Sequence, residues 1–323
     1  MSSSTSSPSS SPTPPFMEFT LNWLDFSQHY FTFAAIFKFC DTAQSILFPP
    51  SNYSKELQAL HTIWSKNCVM RSNRAKLLIE HDVYQKWKKI RVYPCLSKVG
   101  HTSWTCCFQI KGGDPSFQNE TLALVETTMV ATDETHKKAE PIEYRETLVQ
   151  LMEQSKIQQQ PITLGRSIFS TPEEDGQNTF NYSQVVRITD CDALNHVNNS
   201  VYATLAEESR LFAASKNKYD MHNNEMGKQP ASECSISYIG QAHPFEEMEI
   251  VTWSTGSIGS SNKRRKLNSD SSDRNSSDTS TSDNSSNDES SRGKNDEQVY
   301  FRTDFLVNQK LVSQTTLTVS SKL

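Results

Sequence analysis

Apolar residues are scarce in this chain, at 35% of 323 residues, below the usual globular share. The deficit is local. Residues 1–15 read MSSSTSSPSSSPTPP, and residues 254–296 are mostly Ser, Asp, Asn and basic residues. Neither stretch can bury enough apolar surface to offset its ordering entropy, so both are predicted to be disordered. The remainder is long enough for two cores of ordinary size. Long hydrophobic runs are also missing. The most apolar stretch, Tyr30 to Cys40, contains Lys38 and falls well short of the roughly 20 residues a membrane span needs. The chain does not open with a basic segment followed by an apolar one, and its first 50 residues contain no Arg. Neither a secretory signal nor a mitochondrial presequence is therefore expected. There is no basic excess. A net charge of −5 argues against nucleic acid as a partner, because a phosphate-binding surface needs cations. None of the seven cysteines falls in a C-x-x-C pair, so neither a metal site nor a disulfide scaffold is predicted. A reducing compartment, cytoplasmic or nuclear, fits that usage.

What the chain does contain is a repeat. Asp25-Phe-Ser-Gln-His29 leads into YFTFAAIFKFCDTAQSILF, and Asp192-Ala-Leu-Asn-His196 leads into VNNSVYATLAEESRLFAAS. Each is a D-x-x-x-H followed by a long run free of Pro and Gly, as a helix requires. In the second run Val201, Leu205, Phe212 and Ala213 mark an apolar stripe near helical spacing. The first run is apolar nearly all round and should be more deeply buried. Downstream, residues 77–100 align with 236–259 without a gap, bringing Val92 onto Val251 and Gly100 onto Gly259. Two Thr-, Val- and aromatic-rich runs follow in each half, at 102–110 and 121–133, then at 298–307 and 310–321. Such runs read as strands. Each half is thus expected to be a short strand, a long helix, then about four antiparallel strands.

These observations give boundaries: a Ser/Pro-rich tail at 1–16, a first domain at 17–144, a linker at 145–167 with room for a short helix, and a second domain at 168–323. Residues 260–296 interrupt the second domain as an insertion between two strands, at a modest closure cost. Within the insertion, Lys263, Arg264, Arg265 and Lys266 have the composition of a nuclear localisation signal, and equally that of a chance basic patch.

The segment VRITDCDALNHVNNSVYATLAEESR (186–210) resembles the hotdog-fold acyl thioesterases. Their signature is roughly D-x-D-x-x-G-H-V-N-N-x-x-Y. Here it runs Asp190-Cys-Asp192-Ala-Leu-Asn195-His196-Val-Asn198-Asn199-Ser-Val-Tyr202, with Asn195 in place of Gly. The family's Val-Gly-x-x-Ser turn looks like Val99-Gly100-His-Thr-Ser103. Two copies make the chain similar to double-hotdog enzymes. The resemblance implies an α+β fold of two antiparallel sheets, each wrapped around a long central helix. It implies hydrolysis of fatty acyl-CoA to free fatty acid and CoA, with no cofactor. A homodimer of double-hotdog chains is a further arrangement the fold allows. Enzymes of the family that cleave acyl-acyl carrier protein have Asp-x-Asn-x-His at this helix and a Glu on a later strand. Leu194 and, by rough alignment, Gln241 stand at those two positions, which favours acyl-CoA.

The residue types suit the chemistry. Thioester hydrolysis needs an activated water or a nucleophile, and donors aimed at the developing oxyanion. Asp192 is the candidate general base or direct nucleophile. His196 is placed to orient water or polarise the carbonyl, and Asn198 to position the Asp. Backbone N–H groups at the helix start supply the positive end of the dipole. Asn199, Tyr202, Gly100 and Ser103 are candidate substrate contacts, and Glu208 is a weaker second carboxylate. Asp25 and His29 form a candidate second site that lacks the Asn-Asn pair. The alternative for any Asp or Asn ahead of a helix is a plain N-cap, worth about 1 kcal/mol. Three other readings compete with acyl-CoA hydrolysis: an acyl-acyl carrier protein thioesterase, a hydratase of the same fold, and a hotdog that binds an acyl ligand or a partner without catalysis.

Overall fold

The structure is a computed structural model that describes residues 16–22, 25–27, 30–44, 47, 68–78, 87–113, 120–135, 138–158, 179–192, 194–255 and 298–320. The expected tail up to residue 15, His29, the connection from 159 to 167 and the 260–296 insertion with its basic cluster lie outside the described residues.

In the first half a short strand β1 (Met17–Thr20) and a small hairpin, β2 (Phe26–Ser27) and β3 (Tyr30–Phe31), precede helix α1 (Phe33–Gln44). Four strands follow, β4 (Cys68–Leu77), β5 (Lys89–Val99), β6 (Ser103–Gly112) and β7 (Thr121–Ala131), then helix α2 (Arg145–Gln158). The second half repeats the plan with β8 (Phe180–Val185), α3 (Asn199–Ser215), a short α4 (Met221–Lys228), β9 (Glu233–Tyr238), β10 (Glu247–Thr255), β11 (Gln298–Val307) and β12 (Lys310–Ser320).

The strands form one ten-stranded antiparallel sheet in the order β1-β5-β6-β7-β4-β9-β12-β11-β10-β8. This corrects the expectation of two sheets. The order reads alike from both ends. In each half the strand ahead of the helix takes the edge, and the first strand after it takes the centre. The halves fuse because β4 and β9 pair directly, from Ser72↔Ser237 to Lys76↔Glu233. Pairing there removes two strand edges that would otherwise expose unpaired backbone groups. Buried Asn73 fastens the junction, donating to the Tyr238 hydroxyl at 3.3 Å and accepting from Thr127 at 2.7 Å.

The helices follow from their apolar patterns. Helix α1 packs on β4 and β5, α3 packs on β9 to β12, and the two helices meet over the sheet. As its all-round apolarity predicts, α1 buries Phe33, Ile36, Phe37, Phe39 and Cys40. Three details differ from expectation. Helix α2 occupies much of the predicted linker and docks on β5, with Leu148 buried. Helix α4 carried no signal in the repeat, yet it packs on α3. Its Gly227 makes that approach possible, since a Cβ there would stand 2.9 Å from the Ala214 side chain. Finally, the gapless alignment is one residue out of register. Val92 points into the core whereas its aligned Val251 faces the other side, between buried Ile250 and Thr252. Alternate strand residues face opposite ways, so a one-residue slip reverses the assignment.

Candidate active site

The best-formed constellation lies between β8 and α3. A 3-10 turn at Ile188–Asp190 leads into it. Buried Asp190 is spent on structure. Its carboxylate takes two bonds from the Arg187 guanidinium, at 3.0 and 2.9 Å, and one from the Arg187 N–H. Its carbonyl accepts from the Asn198 N–H at 2.8 Å.

The chain then turns back on itself. The Asp192 N–H donates to the His196 carbonyl at 2.9 Å, and the Asn195 N–H to the Asp192 carbonyl at 3.0 Å. The turn needs a left-handed residue, and Asn195 provides it at φ 62°. Asn tolerates that conformation better than other residues with a Cβ, which is why it can stand where the resembling family has Gly. The turn brings Asp192 Oδ2 to 3.3 Å from His196 Nδ1. Asp192 Oδ1 accepts the Leu194 N–H at 2.8 Å. Both side chains are half-buried. Among the described residues, the His196 N–H has no acceptor. The site therefore has a carboxylate held through Oδ1 with Oδ2 set against an imidazole, and an amide donor left open near the positive end of α3.

Asn198 acts as a cap. Its side chain accepts from the Ser200 N–H at 2.9 Å and the Ser200 hydroxyl at 2.8 Å, fixing the first turn of α3. Asn199 opens the helix, and its carbonyl accepts from the Tyr238 hydroxyl. Tyr202 is buried against Tyr238 and Phe305. Gly100 and Ser103 close the β5–β6 turn, where the Gly100 N–H meets the Ser103 carbonyl at 2.7 Å and Arg145 bonds the Gly100 carbonyl. Among the described residues, no hydrogen bond joins that turn to the Asp192 loop.

Two neighbours had no signal in the sequence. The His243 ring contacts the Asn195 carbonyl at 2.9 Å, and the Glu246 carboxylate accepts the His243 N–H at 2.7 Å. They reach the site because the Val197 N–H bonds the carbonyl of Ala242, next to exposed Gln241. Strand pairing made that approach, and no local motif reports it. Leu194, Ile188 and Phe245 stand exposed around the loop as an apolar rim.

The first-half copy is arranged differently. The Asp25 carboxylate accepts the Asn22 N–H at 2.8 Å, and Thr32 caps α1 through the Ala35 N–H at 3.2 Å. The carboxylate of Glu207 reaches across from α3 toward the Phe33 backbone at the start of α1. Burial pushes Glu207 up to about 7, against the opposing pull of Arg210. Asp41 on α1 is likewise pushed up to about 7 by burial. A cavity of about 420 Å3 runs between α1 and α3, from Ser200 past Thr204 and Lys38 to Glu207, Thr32 and Asp25. The part of Glu207 that remains open faces this cavity. Exposed Glu208 also lines it.

Among the described residues, no group of His, Cys, Asp and Glu side chains could hold a metal ion, and no helix is long and apolar enough to cross a membrane.

The family model of the thioesterase-like superfamily matches residues 186–277, which include the Asp192 loop and α3. A 12:0-ACP thioesterase from Umbellularia californica superposes with a TM-score of 0.59 at 10% identity, over 95% of this chain and 97% of that one. An acyl-ACP thioesterase from Bacteroides thetaiotaomicron gives 0.57 at 10% identity, over 95% and 97%. Among curated proteins, no sequence is similar enough to count as a relative. Residues 186–277 thus carry the thioesterase-like superfamily's pattern, and the described residues have the hotdog-type fold of the acyl thioesterases.

Proposed function

We propose that the protein hydrolyses fatty acyl thioesters at the start of α3. The observation that carries this is the Asp192–His196 contact beside an open amide donor at a helix N-terminus. The thioester oxygen accepts from the His196 N–H, where the helix dipole favours the developing negative charge. Asp192 Oδ1 accepts the Leu194 N–H, and Oδ2 lies 3.3 Å from His196 Nδ1. With this carboxylate orienting the imidazole, His196 Nε2 takes the proton from the attacking water. The water oxygen bonds the carbonyl carbon, the C–S bond breaks, and the proton passes to the leaving thiolate. Asn198 serves through the helix it caps. The apolar rim of Leu194, Ile188 and Phe245 suits an acyl chain.

Leu194, standing where carrier-protein enzymes have Asn, favours acyl-CoA as the substrate. A specific observation favours a second reading: both whole-chain structural relatives above are thioesterases of acyl-ACP. Thiol release from matched acyl-CoA and acyl-acyl carrier protein substrates, at several chain lengths, separates the two. Higher kcat/KM on CoA is the expected result, and a preference for the carrier protein selects the second reading. Saturable binding without thiol release on either carrier contradicts hydrolysis itself.

A further inference from the structure

The sheet has a second face, turned away from α1 and α3. On β5 and β6, Leu96, Cys106 and Phe108 join the apolar cluster beneath the helices, while Cys95 and Cys107 point to the other side. These two cysteines are Cα partners in the β5–β6 register. All seven cysteines are free, and of these only Cys95 and Cys107 face each other across paired strands. Directly opposed residues of an antiparallel pair stand about 4.5–5.5 Å apart at Cα, inside the window a disulfide needs.

We infer that Cys95 and Cys107 form an oxidative modification site, a dithiol that closes to a cross-strand disulfide under hydrogen peroxide or another small peroxide. This rests on the sheet register alone and is independent of the proposed hydrolysis. One of the two sulfurs attacks the peroxide oxygen, breaks the O–O bond and becomes a sulfenic acid, with water released. The opposing cysteine's sulfur then attacks that sulfur, the S–O bond breaks, and a second water leaves. Two thiols and one peroxide give one disulfide and two waters. The pair has only about 4% of its surface open, so bulky oxidants are excluded and a small one is required.

The product ties the β5–β6 hairpin, whose tip is the Gly100–Ser103 turn bonded to Arg145 at the head of α2. Closing this short loop restrains the unfolded chain and stabilises the fold.

The test treats the full chain with hydrogen peroxide, blocks remaining thiols with iodoacetamide and maps disulfide-linked peptides by mass. The expected result is one new link, Cys95 to Cys107, two thiols fewer in titration, and a thermal midpoint higher by several degrees, all reversed by dithiothreitol. Cys95→Ser and Cys107→Ser should each lose the link and the shift. If either variant fails to fold, the wild-type peptide map alone decides. Recovery of both cysteines as alkylated thiols, or a link joining other cysteines, overturns the assignment.

Discussion

Asn195 shows how one residue governs the site. Its φ of 62° closes the turn that sets Asp192 against His196. Asn195→Gly should keep both fold and activity, because Gly adopts that conformation freely. Asn195→Val should cost about 1–2 kcal/mol and lower kcat, since a β-branched residue resists positive φ. Denaturant melts and initial rates on the two variants check this. Activity lost with Gly and kept with Val would contradict the role given to the turn. The identity of the loop residues was legible in the sequence, because D-x-x-x-H with Asn-Asn is a local pattern. Their division of labour was not. That Asn198 caps, that Asp190 pairs with Arg187, and that Asp192 accepts the Leu194 N–H depend on how the turn folds. His243 and Glu246 could not be found at all, since a distant strand start brings them in.

Among the elements, α3 carries most of the proposed function. Its first turn is fixed by Asn198, so Asn198→Ala should cost about 1 kcal/mol and reduce kcat more than it raises KM. Asn198→Asp, which also caps, should restore stability. Thermal melts beside steady-state kinetics test both. The α1–α3 contact adds a pH dependence. Glu207 and Asp41 have ordinary values near 4.5 and 3.8 and are both pushed up to about 7 in the fold. Between those limits the folded chain binds more protons than the unfolded chain, so stability falls as pH rises. The loss levels off above about 7, at roughly 3–4 kcal/mol for each carboxyl. Glu207→Gln should flatten the profile and raise stability at pH 8. A profile unchanged by that substitution would show that Glu207 does not titrate in this range. The burial of α1 was readable from its all-round apolarity. The burial of Glu207 against the start of α1 was not, because it crosses from one half to the other.

For the whole molecule, the repeat was the informative signal, and each half folds as read: short strand, helix, four strands. The sequence did not reveal that β4 and β9 join the halves into a single sheet, since register between distant strands leaves no local trace. The join makes the halves interdependent. β10 and β11, in contrast, are paired up to Thr255↔Tyr300, so the residues between them need only reconnect two adjacent strands. Replacing residues 258–296 with a short Gly-Ser turn should therefore leave activity within about twofold and the melting midpoint within a few degrees. Loss of folding would show that the segment contributes to the core.

The central claim is that one site, at the start of α3, breaks the thioester. It is tested most directly by thiol release from long-chain acyl-CoA and acyl-acyl carrier protein. His196→Ala, Asp192→Ala and Asp25→Ala would be measured beside the wild type, with melting midpoints in parallel. The expected result is wild-type turnover, a loss of at least about 100-fold in both second-half variants without unfolding, and near-normal rates for Asp25→Ala. Turnover that survives both His196→Ala and Asp192→Ala, or that disappears with Asp25→Ala in a folded protein, would contradict the account.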